Sequence, residues 1–241
     1  TTLLRLVNAY GMLVNGGKRI APTLIERIDD RHGAIIYRRD SRRCNDCMVE
    51  IGETMPPMML PPVLPDEREQ VIDPRIAYQV VSMLEGVVQR GTGTRAKEIG
   101  RIVGGKTGTT NESRDTWFIG FSPDLVAGVY VGYDQPKSLG SRETGGSVAL
   151  PAFVSFMKSA LKETGNTPFR VPRGIKFVAT DAKTGWPLSM LEEGESSGAV
   201  IKEAYVTGGP VYVPGVSSRA VLDALNNLDV EFAPEEVSAL P

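Results

Sequence analysis

The chain has 241 residues, 41% of them apolar and 23% charged, with a formal net charge of −2 at pH 7. That length suits one medium domain with an appendage, or two small ones, and the apolar share is enough to build a core. The balanced, interspersed charge excludes a strongly basic nucleic-acid binder, and no apolar run is long enough to span a bilayer.

The chain opens on Thr1-Thr2-Leu3-Leu4-Arg5, which lacks the basic-then-apolar order of a signal peptide, so any export or membrane anchoring is expected to come from an upstream segment. Leu3, Leu6, Val7, Tyr10, Leu13 and Val14 recur at helical spacing until Asn15-Gly16-Gly17 stops the pattern. From Ala21 to Arg39 the residues alternate around a turn at Asp29 to Gly33, which predicts a hairpin. His32, the one histidine, falls at the tip of that turn. A Ser-His-Asp or Cys-His site is therefore not expected, and acid–base chemistry falls to lysine or carboxylates.

Residues from about 40 to 66 turn polar and then rich in Met and Pro, as in a long surface insertion. Cys44-Asn45-Asp46-Cys47 lies within it; a structural zinc site needs four ligands and no second pair exists, so unpaired or disulfide-linked surface cysteines are expected rather than a metal. The stretch Met55 to Pro62 reads as flexible insertion. Asp73-Pro74 then opens a helix, as N-cap and first helical residue, with Ile76, Ala77, Val80, Val81, Leu84, Val87 and Val88 as its buried face and Gly91-Thr92-Gly93 as its stop.

Ile102-Val103 starts a strand that continues through Gly104-Gly105-Lys106-Thr107-Gly108-Thr109-Thr110. Thr116 to Phe121, a Ser122-Pro123-Asp124 turn and Leu125 to Tyr133 predict a second hairpin, and Leu150-Pro151 opens a helix with Phe153, Val154, Phe156, Met157, Ala160 and Leu161 apolar. Past Thr164-Gly165-Asn166, Gly, Pro, Ser and Val dominate. The expected organisation is a domain over 1–165 and a small β-rich appendage over 166–241 with a loose acidic end. The fold class is α+β: an antiparallel sheet flanked by helices.

Gly100-Arg101-Ile102-Val103-Gly104-Gly105-Lys106-Thr107 satisfies the phosphate-loop string, and a nucleotide binder is one reading of it. Context opposes this. Ala96-Lys97-Glu98-Ile99 is too polar for a preceding buried strand, and Thr107-Gly108-Thr109-Thr110 makes a poor first helical turn. An edge strand beside a cleft fits better. Lys106 and Gly108 would share one face and Thr107 and Thr109 the other, offering an ammonium, two hydroxyls and backbone amides. Gly108 would let a ligand backbone approach closely. Such an array suits a peptide ending in a carboxylate, paired to the strand by β-addition.

The segments Thr1 to Asn15, Gly91-Thr92-Gly93-Thr94-Arg95-Ala96, Gly104 to Asn111, Asp115 to Gly120, Val131-Gly132-Tyr133-Asp134 and Thr144-Gly145-Gly146-Ser147, in that order, resemble the class A penicillin-binding proteins. These are bifunctional enzymes that polymerise and crosslink peptidoglycan. The resemblance covers roughly Thr1 to Lys162. It implies part of a penicillin-recognising serine transpeptidase fold, without cofactor or metal, on the extracytoplasmic (periplasmic) face of the inner membrane. It also implies that Lys106 relays protons and orients substrate. Thr107, Gly108, Thr109 and Thr110 would bind the terminal carboxylate of D-Ala-D-Ala or of a β-lactam, with the Thr109 N–H as half of the oxyanion hole.

The family's nucleophile is the serine of S-x-x-K, far upstream of K-T-G. The two such strings here, Ser155-Phe156-Met157-Lys158 and Ser159-Ala160-Leu161-Lys162, come after it and read as the solvated side of a helix. No S-x-N string precedes Lys106. The nucleophile, the glycosyltransferase domain and the membrane anchor are therefore expected in an N-terminal part outside this chain. The chain alone is expected neither to be acylated nor to fold cooperatively. A non-catalytic penicillin-fold sensor or interaction domain, a D,D-carboxypeptidase and a β-lactamase are the other readings.

Overall fold

A computed structural model describes residues 1–40, 42, 64, 66–191, 196 and 198–208. Cys44, Cys47, the stretch Met55 to Pro62 and the acidic end lie outside the described residues. Helix α1 (Leu3–Val14) starts where the Thr2 hydroxyl accepts from the Arg5 N–H at 3.3 Å, and ends at Asn15 before two positive-φ glycines, Gly16 and Gly17. Strands β1 (Arg27–Asp29) and β2 (Ile35–Arg38) form the expected hairpin, whose turn is tied by the Asp30 carboxylate accepting from the His32 and Ala34 N–H groups, both at 2.8 Å. Both strands of this ribbon are exposed.

Helix α2 (Pro74–Arg90) is capped as its sequence predicts: the Asp73 carboxylate accepts from the Arg75 N–H at 2.8 Å and Pro74 takes the first helical position. Its buried stripe is narrower than the apolar pattern. Ala77, Val81 and Val88 face inward, whereas Ile76, about 100° around the helix from Ala77, is 47% exposed.

Strands β3 (Gly104–Thr109), β4 (Asp115–Phe121) and β5 (Val126–Gly132) form an antiparallel sheet in that order, with Lys106 opposite Ile119, Thr107 opposite Phe118 and Phe118 opposite Val129. Helix α3 (Leu150–Ala160) covers one face. Phe153 lies against Phe118 with centroids 4.7 Å apart, in a buried cluster with Val88, Val103, Leu150 and Met157. Phe156, expected inside, is 52% exposed because Phe153, Val154 and Met157 already fill the side of the helix that meets the sheet. Helix α1 covers the opposite face, so close that a Cβ on Gly128 would come 2.5 Å from Val7. There Phe121 meets Tyr10 at 6.4 Å and Phe169 at 5.5 Å.

Four short helical pieces among the described residues match no element expected from the sequence: 3-10 helices over Thr94–Ile99, Asn111–Ser113 and Leu188–Met190, and a π-helical turn over Gly145–Ala149 that runs into α3. Past residue 165, β6 (Ile175–Asp181) and β7 (Val200–Val206) are longer than the short strands expected and pair along seven positions. Gln79 donates to the Ala204 carbonyl at 2.8 Å, Arg90 pairs with Glu203 at 2.8 Å, and Tyr78 meets Phe177 edge-on at 6.2 Å, so this hairpin is docked on α2.

The sheet and α3 touch through Gly120, where a Cβ would lie 2.5 Å from the Phe153 ring and 3.0 Å from the Gly104 carbonyl oxygen. Gly120→Ala should therefore cost about 1–3 kcal/mol, read as a lowered urea midpoint with unchanged slope; an unchanged midpoint contradicts this packing.

Candidate active site

The site is built on β3, an edge strand: β4 pairs with one side, and among the described residues no strand pairs with the other. Gly104 and Gly105 are buried, while Lys106 and Thr109 are exposed and Thr107 and Gly108 half-buried. The strand thus emerges from the core at its third residue. Behind its start lies Glu85 of α2, whose backbone nitrogen would sit 3.1 Å from a Cβ on Gly104; burial raises the Glu85 carboxyl above the ordinary range, opposed by Arg90.

No helix begins at Lys106, so the geometry a phosphate loop requires does not form here. Lys106 instead folds along its own strand, its ammonium donating to the Thr107 carbonyl at 2.9 Å and to the Thr107 hydroxyl at 3.4 Å. Alternation along the strand separates Lys106 from Thr107 at Cα, but the long lysine side chain closes that gap.

Two elements outside the sheet reach the threonine hydroxyls. The Thr92 hydroxyl, from the loop after α2, lies 2.9 Å from the Thr107 hydroxyl. The Gly145 N–H, at the start of the π-helical turn, donates to the Thr109 hydroxyl at 3.0 Å. Gly145 sits so close to β3 and β4 that a Cβ there would come 2.5 Å from the Trp117 carbonyl oxygen and 2.6 Å from that of Gly108. The turn is fixed by a capping box in which the Thr144 and Ser147 side chains each accept from the other's N–H, at 3.3 and 2.8 Å. Both segments carried the family resemblance, but no hydroxyl or amide in them was singled out; neither Thr92 nor Gly145 stands within a strand or helix pattern that would mark it.

Thr110 has a different setting. Its hydroxyl accepts from the Asp115 N–H at 2.8 Å, and its own N–H donates to the Asp115 carbonyl at 3.0 Å, which closes the turn between β3 and β4. Inside this turn Glu112 (φ 60°) and Ser113 (φ 51°) adopt left-handed backbone that non-glycine residues seldom take. Asp115 also accepts from the Tyr130 hydroxyl at 2.7 Å, and Tyr130 lies against Trp117 with centroids 4.5 Å apart. The S-x-x-K serines lie elsewhere: Ser155 and Ser159 are exposed on α3, and Lys158 pairs with Glu98 at 3.4 Å. No group of three or more metal-ligating side chains occurs among the described residues.

Comparison with known proteins decides the family. The model of the penicillin-binding protein transpeptidase domain matches residues 1–158. This chain belongs to that family. Penicillin-binding protein 1A of Rickettsia bellii is 50% identical over 185 residues, which cover 77% of this chain and 23% of that protein. Its counterpart in Rickettsia typhi is 41% identical over 228 residues, covering 91% and 28%. The crystal structure of penicillin-binding protein 1A from Haemophilus influenzae is 30% identical with a TM-score of 0.66, over 88% of this chain and 33% of that one. The chain thus spans about a quarter of the length of these curated relatives, and it corresponds to the C-terminal part of a class A transpeptidase domain. The penicillin-binding fold of this family is the α+β arrangement expected from the sequence.

The Tyr130–Asp115 bond sets a titration. A phenol that donates to a carboxylate holds its proton more tightly, and the Tyr130 pKa is raised, its hydrogen bond to Asp115 being the largest cause, followed by desolvation. Sign follows directly: the bond supports the fold below the unfolded tyrosine pKa of about 10 and is lost as pH rises through the higher folded value. Asp115→Asn should lower the midpoint of Tyr130 phenolate absorbance; an unmoved midpoint contradicts the assignment.

Proposed function

We propose that this chain supplies one wall of the active site of a peptidoglycan D,D-transpeptidase, the wall that binds the substrate carboxylate and the oxyanion. The observation that carries this reading is the edge strand β3, on which one ammonium and two hydroxyls gather within four residues, Lys106 to Thr109. A stem peptide ending in D-Ala-D-Ala adds to the open side of β3 as a strand. Its carboxylate accepts from the Thr107 and Thr109 hydroxyls, while Lys106 supplies positive charge beside them. Gly108 leaves the ligand backbone room.

The Thr109 N–H forms half of the oxyanion hole, an interaction of the kind whose loss costs about 3 kcal/mol of transition-state stabilisation. Thr110, its hydroxyl engaged by Asp115, serves the substrate by fixing the end of the strand. A β-lactam presents a carboxylate and a strained amide in similar relation and takes the same place. Attack comes from a serine outside residues 1–241; that serine becomes acylated, releases the terminal D-Ala and passes the acyl group to the amine of a second stem peptide. Chemistry on peptidoglycan places the site on the extracytoplasmic face of the inner membrane, and no cofactor is required.

Mass spectrometry of the full-length protein after penicillin treatment tests this. The adduct is expected on a serine outside residues 1–241, and Thr107→Val should slow acylation at least about tenfold, the loss of one charge-assisted hydrogen bond. An adduct on Ser155 or Ser159, or no adduct at all, overturns the reading.

A further inference from the structure

We propose that Thr92 is a positioning residue for the carboxylate site: its hydroxyl donates to that of Thr107 and thereby turns the Thr107 proton toward the ligand. This inference rests on the reading of β3 as the carboxylate-binding wall.

A threonine hydroxyl has one proton and two lone pairs. At Thr107 the Lys106 ammonium approaches one lone pair at 3.4 Å, and the Thr92 hydroxyl stands 2.9 Å away in a contact where either oxygen can donate. A bound carboxylate only accepts. It therefore selects the arrangement in which Thr92 donates, both Thr107 lone pairs are filled, and the Thr107 proton has the carboxylate as its remaining acceptor. Thr109 is arranged the same way by another element, since the Gly145 N–H at 3.0 Å occupies one of its lone pairs and leaves its proton to donate. The two hydroxyls of the strand are thus each oriented from behind, one by the loop after α2 and one by the turn before α3. Each bond in such a chain also polarises the next.

Thr92 is held for this role by its neighbours. Gly91 and Gly93 both direct their N–H groups to the Val87 carbonyl at 3.0 Å, wrapping the loop tightly over the end of α2. Thr92 itself is exposed, so replacing it leaves the core untouched.

The test compares acylation of the full-length protein by benzylpenicillin and by its methyl ester, which lacks the carboxylate charge. Thr92→Val should lower the second-order acylation rate for benzylpenicillin about tenfold, change the rate for the ester less than about twofold, and add little to Thr107→Val in the double variant. Thr92→Ser should restore the wild-type rate. Equal losses for both ligands, no loss for either, or no rescue by serine overturns the proposal. If Thr92→Val does not yield folded protein, Thr92→Ala takes its place in the same comparison. Failure of the parent reading looks different: the wild type would then acylate both ligands alike, and Thr107→Val would have no effect.

Discussion

Strand β3 must be rigid on one side and open on the other, and most of the structure serves that constraint. Rigidity comes from β4, which pairs with β3 from Gly104↔Phe121 to Thr109↔Thr116, and from Phe118 packed on Phe153 of α3 beneath it. Gly104, Gly105 and Gly120 bring strand, helix and sheet into a contact with no room for a methyl group. Openness comes from topology, because β3 is the edge of its sheet. An edge strand ordinarily invites unwanted pairing; here the same free backbone is what a peptide ligand can use.

Around that strand the polar groups are ordered from outside the sheet. Thr92 reaches Thr107 and Gly145 reaches Thr109, each from a tight turn bounded by glycine. Asp115 ties together the far end, accepting from Tyr130 and bonding Thr110 across the turn. Preorganisation of this kind matters because groups already held in place need no further ordering when a ligand arrives.

Helices α1, α2 and α3 and the β1–β2 and β4–β5 hairpins were legible in the sequence because each carries a local signature: Asp73-Pro74 opening α2, Leu150-Pro151 opening α3, period-two runs on either side of Ser122-Pro123-Asp124; past residue 165 the sequence marked short strands but not the β6–β7 hairpin. Lys106, Thr107 and Thr109 were legible as a strand-borne cluster for the same reason. What a single sequence does not carry is which element approaches them. Thr92 and Gly145 stand 15 and 36 residues from their partners, and that proximity is decided by packing of α2 and α3 against the sheet. Burial was similarly blurred. Ile76 and Phe156 fit the apolar pattern yet are exposed, since the pattern fixes a helix face only to within a residue on either side.

The membership of this chain in the penicillin-binding transpeptidase family rests on its residues 1–158; the role of its β3 wall rests on geometry. A crystal structure of the full-length protein acylated by penicillin tests that role most directly. The account predicts the ligand carboxylate within hydrogen-bonding reach of both the Thr107 and Thr109 hydroxyls, with the ligand running along the open side of β3. A carboxylate bound elsewhere, or a β3 whose open side is covered by another part of the protein, would contradict it.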